Sequence, residues 1–147
     1  MATRIQITID CADPALLTRF WATALGYVVP DPPAGFDDWT AYWRSVGVPE
    51  DELGDGDDSL VDPDGVGPNL WFQLVPEGKV VKNRLHLDLD VGGGRDVSLE
   101  TRKQRVDAEA RRLAAAGAST LRVLDTEAID HYAVVMADPE ANEFCLH

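Results

Sequence analysis

Asp62-Pro63-Asp64-Gly65 running into Trp71-Phe72-Gln73-Leu74, and Asp138-Pro139-Glu140-Ala141 running into Glu143-Phe144-Cys145-Leu146, are two copies of one pattern. Each is an Asp-Pro-acid turn followed by a short strand. Upstream of each copy comes the same order of elements: a strand, a helix closed by glycine, then shorter strands. The first strand of the chain, Arg4 to Asp10, sets Ile5, Ile7 and Ile9 on one face and Gln6, Thr8 and Asp10 on the other. Asp13-Pro14 then starts a helix, with Asp13 as cap and Pro14 in the first turn, and Gly26 ends it after Leu25. The second half opens with a strand over Arg84 to Val91, followed by a helix over roughly Val97 to Ala116 and a stop at Gly117. Strands are then expected from Leu121, over His131 to Met136 and over Glu143 to Leu146. The repeat predicts an α+β fold of two similar halves, although two unrelated βα units would read in the same way.

The halves are unequal. Pro30 to Pro68 is an insertion in the first, in which Asp37 or Asp38 can cap a short helix bearing Trp39, Tyr42, Trp43 and Val46 on one face. Asp51 to Asp58 reads as an acidic loop. The chain is thus expected to be a single domain over residues 1–147, with an N-terminal module over 1–75 (insertion 30–68) and a C-terminal module over 84–147.

The formal net charge is −13, from 13 basic and 26 acidic residues, and eleven acids stand against Arg44 alone between Pro30 and Gly65. Such a surface repels nucleic acid and anionic membranes at long range, so neither is an expected partner. No apolar run is long enough to cross a bilayer. Met1 to Gln6 carries no leader pattern, which makes the cytoplasm the expected location. Cys11 and Cys145 read as small buried hydrophobes, not as a disulfide framework or a zinc knuckle.

The helix in each half covers the apolar strand face. The opposite, mixed faces can curl toward each other around a small-molecule cleft. Those faces carry Gln6, Thr8, Gln73 and His86, with Cys145 in the matching place of the last strand. His86 can act as base, acid, ligand or anchor, or be a structural histidine bonded to Asp88. Gln6 and Gln73 suit a substrate carbonyl or amide, or bond between strands. Trp39, Trp43 and Trp71 can line an aromatic pocket or pack as core, whereas Trp21 reads as core. Arg84 can hold an anion or pair with surface acid. Cys145 becomes a nucleophile only in a cationic setting. Glu143 lies on the same side of its strand as Cys145. His131 and the terminal His147 read as peripheral.

The chain resembles the vicinal-oxygen-chelate superfamily of glyoxalase I, bleomycin-resistance proteins and extradiol dioxygenases, and more closely glyoxalase-like proteins of actinobacteria. The resemblance rests on Ile9-Asp10-Cys11-Ala12-Asp13-Pro14 with Phe20-Trp21 and Leu25-Gly26, Val66-Gly67-Pro68 with Leu70-Trp71-Phe72-Gln73, Lys82-Asn83-Arg84 with His86-Leu87-Asp88, and Asp138-Pro139-Glu140 with Asn142-Glu143-Phe144-Cys145. It implies two βαβββ modules paired into an open U-shaped barrel with helices outside. It also implies metal-ligand places at Gln6, Gln73, His86 and Cys145. Both customary glutamate places are changed here, to Gln73 and Cys145. The expected function is therefore small-molecule binding without the usual catalytic metal and with no other cofactor. The alternative is a lyase, isomerase or dioxygenase that uses His86 as proton shuttle or a divalent metal. A third reading is an interaction domain, and the resemblance is compatible with a homodimer.

Overall fold

A computed structural model of the chain describes residues 3–54 and 56–147. Met1, Ala2 and Asp55 lie outside the described residues, and with them two residues of the stretch read for a leader and one acid of the Asp51–Asp58 loop. The chain divides into two compact units, Met1–Gly78 and Lys79–His147.

In the first unit, β1 (Gln6–Cys11) leads into α1 (Pro14–Leu25). The helix begins where expected: the Asp13 carboxylate accepts from Leu16 N–H at 2.9 Å, and Pro14 needs no partner for a missing N–H. Gly26 ends it in the left-handed region. α2 (Trp39–Ser45), capped by Asp38, is followed by β2 (Ser59–Leu60) and β3 (Asn69–Leu74). The strand order is β1-β3-β2, with β1 and β3 parallel and β2 antiparallel. Just after α1 the chain adds one isolated bridge, Val28 to Val61. Leu17, Phe20 and Trp21 of α1 are buried, as are Leu60, Leu70 and Phe72 of the sheet and Cys11 at the end of β1. Ile5 is 66% exposed because it lies before the ladder begins.

The second unit repeats the plan with β4 (Leu87–Leu89), α3 (Leu99–Ala115), β5 (Ser119–Thr126), a 3-10 turn (Glu127–Ile129), β6 (His131–Ala137) and β7 (Glu143–Leu146). The order β4-β7-β6-β5 matches β1-β3-β2 plus the Val28 bridge, so both units are βαβββ-like. Neither sheet closes on itself, and each keeps two edges. Val106, Ala110 and Leu113 of α3 are buried, together with Ala133–Ala137 of β6 and with Phe144 and Leu146 of β7.

One expectation needs correction here. The strand read from Arg84 starts only at Leu87. The β4/β7 register pairs Leu87 with Phe144, which would set His86 beside Glu143. The Glu143 N–H is instead taken by the Asn83 side chain at 3.1 Å, so the ladder stops and Arg84 and Leu85 are exposed. The His147 side chain is exposed, while its backbone is held: its N–H donates to Leu89 C=O, and its own C=O accepts from Val91 and Gly92.

The duplicated turns are alike in backbone. Gly65 has φ 69°, and Ala141, in the equivalent place, has φ 67°. A left-handed alanine is strained where glycine is not. Ala141→Gly should therefore raise stability by about 0.5–1 kcal/mol, read as a higher midpoint in thermal unfolding. Gly65→Ala should lower it. An unchanged midpoint for both would show that the turn tolerates the Cβ.

Candidate functional site

The mixed face of the first sheet is ordered by its register. Thr8 on β1, Trp71 on β3 and Ser59 on β2 stand in one row, Gln6 stands beside Asn69, and Gln73 beside Asp10. Gln6 and Gln73 are thus four residues apart along the strands, roughly 13 Å at about 3.3 Å per residue.

Three adjoining concavities, of about 540, 370 and 350 Å³, open over this face, and Asp58 borders all of them. The largest is reached by Gln73, Trp71 and the start of α1, the second by Gln6, Trp43 and Trp71, and the third by Gln6, Trp39 and Trp43. Thr8 is exposed on β1, opposite Trp71, but borders none of the three.

The aromatic wall comes from α2. With only seven residues and none of them buried, this helix has little core of its own. Its rings instead hold one another. Trp39 and Trp43 stack at 5.6 Å, and Tyr42 meets both. The Trp39 indole N–H donates to Pro30 C=O at 2.7 Å, which ties the helix back to the insertion. Gly56 lies so close to Trp39 that an added Cβ would stand 2.8 Å from the Trp39 Cβ, and its φ of 79° also suits glycine. On the sheet side, Trp71 Nε1 donates to Asp58 Oδ2 at 3.0 Å and Ser59 Oγ to Asp58 Oδ1 at 3.1 Å. The Asp58 carboxylate is therefore fixed in orientation at the meeting point of the three spaces. Sequence reasoning passed over it as one acid in a solvated run. What distinguishes it from the other acids is the pairing of the next residue, Ser59, with Trp71, which the order of residues does not reveal.

The second unit holds a different cluster. His86 Nδ1 lies 2.9 Å from Asp88 Oδ1, and the register sets Asp88 beside Cys145. His86, Asp88 and Cys145 bring one ligand atom each within 4.8 Å of the others, and this is the one such group of three found among the described His, Cys, Asp and Glu residues. Burial first, and then the Asp88 carboxylate, push the Cys145 thiol above its ordinary pKa, with Arg122 opposing. That is the reverse of an activated nucleophile. An imidazole, a carboxylate and a thiol are, however, a donor set that fits a borderline divalent ion such as zinc, with positions left open. A bound cation would favour the thiolate that this acidic setting otherwise disfavours. Asp88 supplies the negative charge that a set of two amides, an imidazole and a thiol lacked. Glu143 is held elsewhere, in an ion pair with Lys82 that draws its carboxyl below the usual range. Arg84 is exposed and precedes β4.

Of the residues singled out in the sequence, Gln6, Thr8, Trp39, Trp43, Trp71 and Gln73 fall in the first unit, and Arg84, His86 and Cys145 in the second. No helix among the described residues is long and apolar enough to cross a membrane.

Comparison with known proteins bears on the whole plan. The profile described as "Glyoxalase-like domain" matches residues 6–147. A glyoxalase/bleomycin resistance protein/dioxygenase family enzyme from Burkholderia phytofirmans is similar in structure, with TM-score 0.56 and 18% identity over 96% of this chain and 94% of that one. The fosfomycin resistance protein FosX from Listeria monocytogenes aligns with TM-score 0.61 and 11% identity over 100% and 93%. A possible glyoxalase from Bacillus cereus aligns with TM-score 0.57 and 14% identity over 99% and 98%. At these identities the likeness is one of fold. No curated protein matches the sequence significantly.

Proposed function

The chain belongs to the glyoxalase-like domain family, and from that premise we propose that it binds a small ring-bearing organic molecule in the concavities over the N-terminal sheet. One observation carries this reading. Gln6, Trp39, Trp43, Trp71 and Gln73 border the same adjoining spaces, whose volumes of about 540, 370 and 350 Å³ suit a small organic compound. The stacked indoles supply flat apolar contact, and the two amides supply a donor and an acceptor each at opposite ends of the face.

All four tryptophans lie within residues 1–78, so tryptophan emission originates in this unit. Titration of a metabolite library in metal-free buffer should give saturable changes in emission for at least one compound class. Trp43→Ala, at a ring already 37% exposed, should weaken that binding about tenfold while leaving the buried core of the unit intact. Silence across a broad library would remove the reading.

A second reading is favoured by the convergence of His86, Asp88 and Cys145. On it these three hold a divalent ion, which when bound would polarise a substrate oxygen. His86 and Asp88 form an imidazole–carboxylate pair, an arrangement suited to holding or moving a proton. Cobalt(II) added to the purified protein should then produce the charge-transfer absorption of a thiolate–cobalt bond. Cys145→Ser should abolish that band, and Asp88→Asn should weaken cobalt affinity at least tenfold. A spectrum indistinguishable from cobalt in buffer would end this reading and leave the first untouched.

A further inference from the structure

We propose that the N-terminal concavities select an organic cation, a compound carrying a quaternary or protonated amine beside its ring. The inference rests on the reading of those spaces as a ligand site and adds the charge of the ligand.

Aromatic faces and fixed negative charge meet there, and the described residues that border the spaces include no basic side chain. Trp43 keeps part of its ring open while its stack on Trp39 holds it in place. Asp58 borders every space, and its two oxygens accept one hydrogen bond each, from Trp71 and Ser59, with further lone pairs left for a ligand. Glu52 borders two of the spaces, and Asp13, Asp31 and Asp57 one each, while no Lys, Arg or His is among the described bordering residues. Arg44, the one basic residue between Pro30 and Gly65, is held by Glu50 through two bonds of 2.6 and 3.1 Å.

The charge of the chain is divided in the same sense. Residues 1–78 carry fourteen acidic and three basic side chains, and residues 79–147 carry twelve and ten. Nearly the whole negative excess therefore lies in the unit that carries these concavities, where low-dielectric walls concentrate the field. An organic cation gains from the indole faces and from the carboxylates together. A neutral ring gains only from burial, and an anion is repelled. A bare metal ion is poorly served, because indoles offer no ligand atom and the described acids here do not converge as His86, Asp88 and Cys145 do.

Benzyltrimethylammonium, benzyl alcohol and phenylacetate share a ring and differ in charge, so they separate the terms. With tryptophan emission as readout at low ionic strength, the ammonium compound should saturate with an affinity at least tenfold above the alcohol. Phenylacetate should give no response. Raising the salt should weaken the ammonium compound, since screening acts on charge. Asp58→Asn should remove most of the preference and Glu52→Gln part of it. The second variant lies at an exposed side chain, so the test survives even if the first disturbs the sheet. Equal or tighter binding of the alcohol or of phenylacetate would overturn the cation inference and leave the binding reading standing. No binding of any of the three would overturn it as well, while the wider library decides the binding reading separately.

Discussion

Phe144→Ala is expected to lower the unfolding free energy by about 3–5 kcal/mol, measured by urea denaturation, and Phe72→Ala by a similar amount. Phe144 is 0% and Phe72 1% exposed. Each lies in a strand paired on both sides, β7 between β4 and β6, and β3 between β1 and β2. The space left by a removed ring in such a place cannot be refilled without moving two ladders. A domain of ordinary stability holds only about 5–15 kcal/mol in total, so either change brings the chain close to unfolding at moderate temperature. Cys145→Ala is the internal control. It sits one residue away on the opposite face, half-buried, and should cost far less. A loss below about 1 kcal/mol for Phe144→Ala would mean that this strand is not the centre of its unit.

Asp138→Ala should cost about 3 kcal/mol, because one side chain holds an entire turn. Asp138 is 4% exposed. Its Oδ1 accepts from the N–H groups of Glu140 and Asn142, each at 2.9 Å, and the Asn142 amide reaches both carboxylate oxygens at 3.2 and 3.0 Å. Alanine at this place leaves those donors without their charged acceptor in a part-buried setting, which is where a lost hydrogen bond is most expensive. Asp62 does the equivalent work in the first half, accepting from Asp64, Val66 and Gly67. Those backbone bonds draw its carboxyl below the ordinary range. Being less buried, Asp62→Ala should cost less than Asp138→Ala. Asn at either position keeps an acceptor oxygen and should recover part of the loss. Equal, small losses at both sites would show that the turn residues around them are sufficient.

Much of the architecture was legible along the chain, and for local reasons. Asp13-Pro14 and Gly26 mark the ends of α1 because capping and left-handed geometry belong to single residues. The Asp-Pro turns are equally local, each closed within five residues by its own carboxylate. Alternation separated Leu70 and Phe72 from Trp71 and Gln73, and the burial of β3 follows it. The start of β4 was not legible. A run of alternating leucines from Leu85 to Leu89 looks like one strand, but Asn83 occupies the Glu143 N–H that such a strand would need. That bond spans sixty positions, and no local pattern announces it.

The candidate residues divide along the same line. The chain order marks the aromatic residues of α2 and the mixed-face residues of β1 and β3 as worth attention, since 3.6- and 2-residue periods follow from backbone geometry. Which strands lie side by side, and in what register, is decided by long-range packing and hydrogen bonding. Only that register places Trp71 in a row with Thr8 and Ser59, brings Asp58 to the Trp71 indole, sets Asp88 beside Cys145, and draws Gln6 and Gln73 four positions apart. The duplicated plan was thus written in the order of the residues, whereas the acids that give each site its charge acquired their neighbours only when distant strands paired.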